Sequence, residues 1–355
     1  MKKDEKKRLF DALESRTNLT IARRVLAYND FPRGVGWQQI RDKLSDAEVQ
    51  AAADFDGLRD GLREMITSND KTLRIYKIDP ADRANFEKKF EDEKVDKSNE
   101  FAKAFPYPIA DSVLANLQPQ PAQIVSKYDG SRCRGLILSS IHIVNVREPI
   151  TPNQVGVSVS QYDEIYGIKS IKYQTFDTVL ISKKNPYIYV LTDTHFNQTV
   201  GTTMALHSSC KKKINSLIGK KALDKPENLF PTIGKLYNSQ EGVVRRLHYT
   251  TPTGAGKQEW MRGQDSCLRD ELAHKAGMTA LSGQYTGYAI DVEWELDEEN
   301  GYTPLPILGI HGSYRITYAV SPEITDASVR GCADQSELRF LIEKLMEQHS
   351  GIQEM

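Results

Sequence analysis

The pattern at residues 136–146, Leu-Ile-Leu-Ser-Ser-Ile-His-Ile-Val-Asn-Val, is rich in β-branched residues and contains neither glycine nor proline. Such residues favour the extended, half-buried backbone of a β-strand. Similar patterns follow at residues 165–173, 178–182 and 187–192, and Asn185-Pro186 predicts a hairpin turn before the last of them. We therefore expect the chain to be β-rich from about residue 124 onward.

The same order of elements recurs further along the chain. A helix is predicted at 202–218, and strands follow at 243–250, 288–296 and 314–320 before a final helix at 336–348. These two strand-then-helix units predict a β-rich body over residues 124–355, with two subdomains that divide near 230–242. The units share no residue-level identity that would prove a duplication.

The N-terminal part of the sequence has a helical pattern instead. Several short amphipathic helices end in a predicted strand at residues 73–78, and Ser45-Asp46-Ala47-Glu48 matches a helix-capping box. This order is typical of a winged-helix-like module over residues 1–80. Residues 81–123 are rich in charge and then in proline, so they are predicted to be a linker.

Length and composition set the class of the protein. A chain of 355 residues exceeds the usual size of a single core, and 39% apolar with 27% charged residues is ordinary globular usage. We therefore predict an α+β fold with a small helical module and a larger β-rich body. No apolar run approaches the length of a membrane span, so membrane attachment is not expected. A cytoplasmic location is expected instead.

The net charge of −1 hides an uneven distribution. Residues 165–250 hold 13 Lys and Arg against 5 Asp and Glu, whereas residues 251–355 hold 8 against 17. A basic segment concentrates near polyanions, because each phosphate contact releases condensed counterions. The middle of the chain is therefore the predicted nucleic-acid-binding region, unless it simply faces the acidic end within the chain or across a homodimer.

Clustered cations supply the predicted contacts to phosphate. Lysines at the ends of a helix also improve solubility and complement the helix dipole, which is the alternative interpretation of the helical cluster. The winged-helix-like order adds cations from the N-terminal helices. The predicted nucleic-acid-binding residues are Lys211, Lys212, Lys213, Lys220, Lys221, Arg245, Arg246, Arg23, Arg24, Arg41 and Lys43.

Motifs for catalysis or metal binding are incomplete. Residues 253–258 resemble the end of a phosphate-binding loop but have Thr251 and Gln258 where a glycine and a Ser or Thr are required. The four cysteines lie at least 57 residues apart, which disfavours a structural zinc site. Asp291, Glu293 and Glu295 alternate on one strand face and could hold Mg²⁺, but an exposed acidic face is the favoured explanation. No catalytic residue, metal site or cofactor is therefore predicted.

These observations rank three functions. The first is a non-enzymatic nucleic-acid-binding protein, with duplex DNA preferred because of the winged-helix-like order, in a role such as genome maintenance or phage defence. The second is an adaptor that binds other proteins through its N-terminal helices and acidic end. The third is a metal-dependent nuclease that uses Asp291 and Glu293 together with His311.

Overall fold

The computed structural model describes residues 3–151, 162–194, 199–263 and 266–351, which form helices packed on one large antiparallel sheet. The α-helices are α1 (Lys3–Arg16), α2 (Leu19–Ala27), α3 (Trp37–Lys43), α4 (Ala47–Ala52), α5 (Phe55–Ser68), α6 (Pro80–Asp92), α7 (Glu100–Ala104), α8 (Asp111–Leu114), α9 (Val200–Ile218), α10 (Phe230–Asn238), α11 (Leu272–Leu281) and α12 (Gln335–Ser350). The strands are β1 (Lys71–Lys77), β2 (Gln120–Asp129), β3 (Cys133–Pro149), β4 (Tyr166–Ser182), β5 (Tyr187–Asp193), β6 (Val243–Thr250), β7 (Gly256–Trp260), β8 (Thr286–Glu293), β9 (Ile307–His311) and β10 (Ala327–Arg330). The predicted α+β class is confirmed.

The sheet runs in the order β2-β3-β4-β5-β1-β10-β9-β8-β6-β7. Strand β1 lies between β5 and β10, with Leu73 opposite both Leu191 and Ala327. The strand that ends the N-terminal part of the sequence is therefore a central strand of the sheet formed by the β-rich body. A winged-helix module would instead hold its strands in a small sheet of its own.

Side-chain alternation explains why β1 can occupy a central position. Leu73 and Ile75 pack in the core on one side of the sheet, which we call the first face, whereas Tyr76 packs in the core on the second face. All three side chains are fully or almost fully buried. A strand buried on both faces needs apolar residues at successive positions, and Ile75-Tyr76 supplies them.

Helices cover the two faces unequally. On the first face, α10 and α12 pack over the apolar side chains of β6, β8 and β9, and α1, α2 and α5 contribute a further core that includes Phe176 of β4. On the second face, α6 and α9 cover β2, β3, β4 and β5. In the described ranges no α-helix packs on the second face of β10, β9, β8, β6 and β7. This half of the second face is called the open face below.

Buried charge pairs join the N-terminal helices to the body. Arg16 of α1 pairs with Asp193 of β5, and Arg24 of α2 pairs with Glu337 of α12. Lys71 Nζ lies 3.6 Å from Asp193 Oδ1 and donates to the carbonyl of Phe176 at 2.8 Å. Because breaking one partner of a buried pair leaves an uncompensated charge, these contacts resist separation of the two parts.

Most of the predicted elements are present, with three local differences. The predicted strands at 165–173 and 178–182 are one continuous strand, β4, because buried polar residues such as Thr175 stay in register with β3. The predicted strand at 314–320 is a short 3₁₀ helix, Tyr314–Tyr318, whose start is capped by Ser313. The N-cap of α4 is Asp46 rather than Ser45, since Asp46 Oδ1 accepts from the amide of Glu48 at 2.8 Å.

The division of the chain at residues 81–123 is open to a direct test. The exposed segment between α6 and α7 carries Lys94 and Lys97, so limited trypsin digestion is expected to cut there first. We expect the two fragments to remain associated in gel filtration, because β1 is hydrogen-bonded on both sides within the sheet. Fragments that separate without denaturant would show that the N-terminal part is an independent domain.

Candidate functional site

The five predicted lysines in α9 and just after its end differ in whether they have partners. Lys220 pairs with Asp82, Lys221 pairs with Asp224 at 2.5 Å, and Lys211 donates to the backbone carbonyl of Asp224. Lys212 is exposed and Lys213 is half-buried, and no carboxylate of the described residues forms an ion pair with either. Of the five predicted lysines, these two are the best placed to meet an external anion.

The predicted cations of the N-terminal helices mostly serve the fold. Arg24 is only 3% exposed and pairs with Glu337, so its guanidinium is engaged inside the fold rather than presented to solvent. Arg23 donates to the carbonyl of Gly34 at 2.8 Å, and Lys43 donates to the carbonyl of Arg33 at 2.6 Å.

Arg41 is also engaged within the fold. It contacts Asp11 at 3.0 Å and Glu14 at 2.7 Å. Arg24 and Arg41 are therefore paired with carboxylates, whereas Arg23 and Lys43 are held by backbone carbonyls.

Two arginines of β6 face two acids of β8. A register shift between Val244 and Arg246 marks a β-bulge in β6 at Arg245. Arg245 Nε donates to Glu293 at 3.0 Å, and Arg246 pairs with Asp291. At this point the basic middle of the chain does face the acidic end, as the alternative interpretation of the charge pattern proposed.

Asp291 is the centre of a group of converging cations. Its Oδ1 accepts from His311 Nε2 at 2.7 Å and lies 2.8 Å from the Arg330 guanidinium, while Oδ2 contacts Arg246. Arg246 Nη2 also lies 2.8 Å from His311 Nε2, so the donors are crowded onto one carboxylate. We call Asp291, Arg246, His311 and Arg330 the Asp291 cluster.

The electrostatics of the cluster favour an ionised Asp291. Burial of this carboxyl, which is 8% exposed, opposes ionisation, but the hydrogen bond from His311 and the charges of Arg330 and Arg246 hold the pKa of Asp291 well below its ordinary value. Two arginines thus share one carboxylate. The cluster keeps an excess of positive charge at the surface of the open face.

Gly309 of β9 makes room for this arrangement. It lies opposite both Asp291 and Ser328 in the sheet. A Cβ atom at position 309 would approach His311 Cε1 to 2.8 Å and would come closer still to Asp291 Oδ1. Only glycine therefore lets the Asp291 carboxylate reach across β9 toward Arg330 of β10.

An exposed aromatic ring borders the cluster. Trp260 of β7 is the direct cross-strand neighbour of Arg246, and it is 54% exposed. Next to this pair, the rings of His248 and Tyr288 lie 5.7 Å apart. Tyr288 is only 3% exposed and His248 is half-buried, so the open face presents mainly the Trp260 ring to solvent, beside the Arg246 guanidinium of the adjacent strand.

The other chemical hypotheses find less support in this geometry. Asp291 and Glu293 are each neutralised by an arginine, and Glu295 lies beyond the end of β8. Among the described residues, no three His, Cys, Asp or Glu side chains form a group suited to a metal ion. Residues 251–255 form the turn between β6 and β7, closed by the Thr251 amide and the Ala255 carbonyl at 2.9 Å.

Sequence reasoning missed Arg330, Gly309 and Trp260 as members of this site. No local pattern connects them, because β10 and β7 reach the site through non-local strand pairing. The alternation of Asp291 and Glu293 correctly indicated a shared face, and Arg246 was named from its charge. The sequence did not indicate which residues Asp291, Glu293 and Arg246 contact.

Comparisons with known proteins give no family assignment. The chain matches no protein-family model, no curated protein and no solved structure. Within the described ranges, no helix combines the length and the hydrophobicity needed to cross a membrane.

Replacing Asp291 with asparagine tests whether this carboxylate holds the cluster together. Since the variant leaves two arginines without their counter-ion, we expect Asp291→Asn to lower the free energy of unfolding at pH 7 by about 2 kcal/mol, less than a fully buried pair because the arginines are partly exposed. Chemical denaturation measures this change. The control is Asp326→Asn, which changes a more exposed carboxylate paired with Arg74. It is expected to lower the free energy of unfolding by less than about 1 kcal/mol.

The pH dependence of that difference follows from the lowered pKa of Asp291. A carboxylate whose pKa is depressed by folding stabilises the protein above its unfolded pKa of about 3.9 and loses this contribution as the pH falls through its folded pKa. The difference in the free energy of unfolding between wild type and Asp291→Asn should therefore be constant from about pH 8 to pH 5. It should become smaller below about pH 4. Equal stabilities at neutral pH would contradict the central role of Asp291.

Proposed function

We propose that the protein is a non-enzymatic nucleic-acid-binding protein that holds a single strand on its open face. The observation that carries this proposal is the convergence of Arg246, Arg330 and His311 on one carboxylate, next to the exposed ring of Trp260. Proteins that bind single strands combine a cationic surface along the backbone with rings on which bases stack. The open face offers both in neighbouring strands.

Charge on the same side of the sheet supports the proposal. His207 of α9 contacts Thr192 Oγ1 at 3.1 Å, and Thr192 lies opposite Thr72 in the sheet. Because Thr72 alternates with Leu73 of the first face, this contact places helix α9 on the second face. The exposed Lys212 and the half-buried Lys213 of α9 are therefore on the same side as the Asp291 cluster. Contacts from these lysines to phosphate would add affinity without base specificity.

A single strand fits this surface better than a duplex. The sequence-based preference for duplex DNA depended on a winged-helix-like module, and β1 is instead a central strand of the main sheet. A sheet surface offers no projecting helix to enter a major groove. It does present a surface on which an unpaired base can stack on the exposed Trp260 ring.

Fluorescence anisotropy with a labelled single-stranded oligonucleotide tests the proposal at two salt concentrations. We expect Arg330→Gln to weaken binding about 3- to 10-fold and to lower the salt slope by about one, because one phosphate contact is lost. Arg132→Gln is the matched control. Arg132 is also an exposed arginine in an ion pair with a carboxylate, but its partner Glu343 belongs to α12 on the first face.

The lysines of α9 form a second arm of this experiment. Lys212→Gln combined with Lys213→Gln should reduce affinity further and additively with Arg330→Gln, since the two sites are separate. If the Arg330 variant and the Arg132 control bind equally, the open face is not the binding surface. Failure of the wild-type protein to bind any single strand at low salt would reject the proposed function itself.

A further inference from the structure

Strand β7 is an uncovered edge of the sheet. Its only partner in the described residues is β6. The opposite edge strand, β2, is packed against α7 and α9 and has two register shifts, both of which discourage pairing with another chain. The two edges are therefore not equivalent.

The backbone of β7 has hydrogen-bonding groups directed outward. Met261 donates to Arg245 at 2.8 Å and Thr251 donates to Ala255 at 2.9 Å, so the odd-numbered residues of this segment pair with β6. In an antiparallel pair the bonded residues alternate. The amide and carbonyl groups of Gly256, Gln258 and Trp260 consequently point away from the sheet, toward solvent.

We propose that two copies of the chain pair through β7, antiparallel and centred on Gln258. In this register Lys257 lies opposite Glu259 of the partner subunit, and Trp260 lies opposite Gly256 of the partner subunit. The sequence Gly-Lys-Gln-Glu-Trp of β7 is thus self-complementary under a two-fold axis in both charge and side-chain size. A tryptophan opposite a glycine also covers the exposed backbone of that glycine.

The side chains of β7 are prepared for this pairing. The Glu259 carboxylate is held in place by His274 and by the hydroxyl of Tyr249, which donates to it at 3.3 Å. Lys257 is exposed, and no carboxylate of the described residues forms an ion pair with it. The dimer gives this lysine a fixed acidic partner.

Exposed apolar groups border the edge on both faces. Trp260 belongs to the open face, and on the first face α11 borders a groove of about 680 Å³ beside β7. Leu272, at the start of α11, is 83% exposed. Pairing of the strands brings α11 of each copy toward this groove, which extends the interface beyond five residues of backbone.

The dimer also has a consequence for the surface proposed above. The two-fold axis of an antiparallel strand pair is perpendicular to the sheet, so the open faces of both copies lie on the same side. The two Asp291 clusters then form one extended surface across a continuous sheet. The edge geometry alone carries the inference, which does not depend on nucleic-acid binding.

Sedimentation velocity of the full chain over a micromolar concentration range tests the proposal. We expect the wild type to dimerise and Gln258→Pro to remain monomeric, because proline removes an outward amide that β6 does not use. Circular dichroism and the melting temperature should be nearly unchanged in this variant. A wild type that is monomeric throughout, or a dimer that survives Gln258→Pro, overturns the proposal.

A side-chain variant tests the register even if proline disturbs β7. Lys257→Glu places two acids opposite each other on both sides of the central Gln258 pair, so the dimer dissociation constant should rise roughly 10-fold or more. Lys88→Glu, an exposed lysine of α6 on the far half of the sheet, makes the same charge change and should have no effect. An unchanged Lys257→Glu dimer overturns the proposed register. Oligonucleotide binding by the monomeric variant is measured as well. It shows whether loss of the dimer and loss of the proposed function are independent.

Discussion

The insertion of β1 between β5 and β10 is the constraint on which the rest of the structure depends. Seven residues that follow the N-terminal helices connect the β2–β5 half of the sheet to the β10–β7 half. Without β1 these halves would present unpaired edges to each other, each with a row of exposed backbone groups. The helices α1 to α5 are fixed to the body by the same connection and by the buried pairs of Arg16 and Arg24.

The unequal cover of the sheet follows from this order. The chain segment between β1 and β2 includes α6, and α9 follows β5, so both return over the second face of the β2–β5 half. The segments around β6 to β10 place α10 and α12 on the first face instead. The second face of the β10–β7 half is thereby left to polar side chains, and there Gly309 and Asp291 gather arginines from strands distant in sequence.

Local patterns in the sequence were sufficient for much of the fold. Apolar alternation located β1, β3, β5, β6 and β8, and helical periodicity located α9 and α12 with errors of a few residues at their ends. Residues 314–320 were assigned to a strand because they are rich in aromatic and β-branched residues, but Ser313 starts a 3₁₀ helix there. Such propensity is weak where no neighbouring strand is available to pair.

The proposed binding surface was much harder to predict from the sequence. Charge identified Arg246, and alternation identified the face of Asp291, but the same charge criterion also selected Arg24, which is buried against Glu337. Whether a cation is exposed depends on non-local packing, and no residue-level pattern in α2 distinguishes Arg23 from Arg24 in this respect. Arg330 and Trp260 join the site only through the strand order β10-β9-β8-β6-β7, which local periodicity cannot determine.

Ultraviolet cross-linking of a single-stranded oligonucleotide to the full chain, with the modified peptides identified by mass spectrometry, tests the central claim that the open face is the functional surface. The geometry predicts cross-links in the β7 peptide that contains the exposed Trp260, beside the cations of the Asp291 cluster. Cross-links confined to helices α1 to α5 would contradict the claim, because they would place the nucleic acid on the part of the chain whose arginines are engaged within the fold.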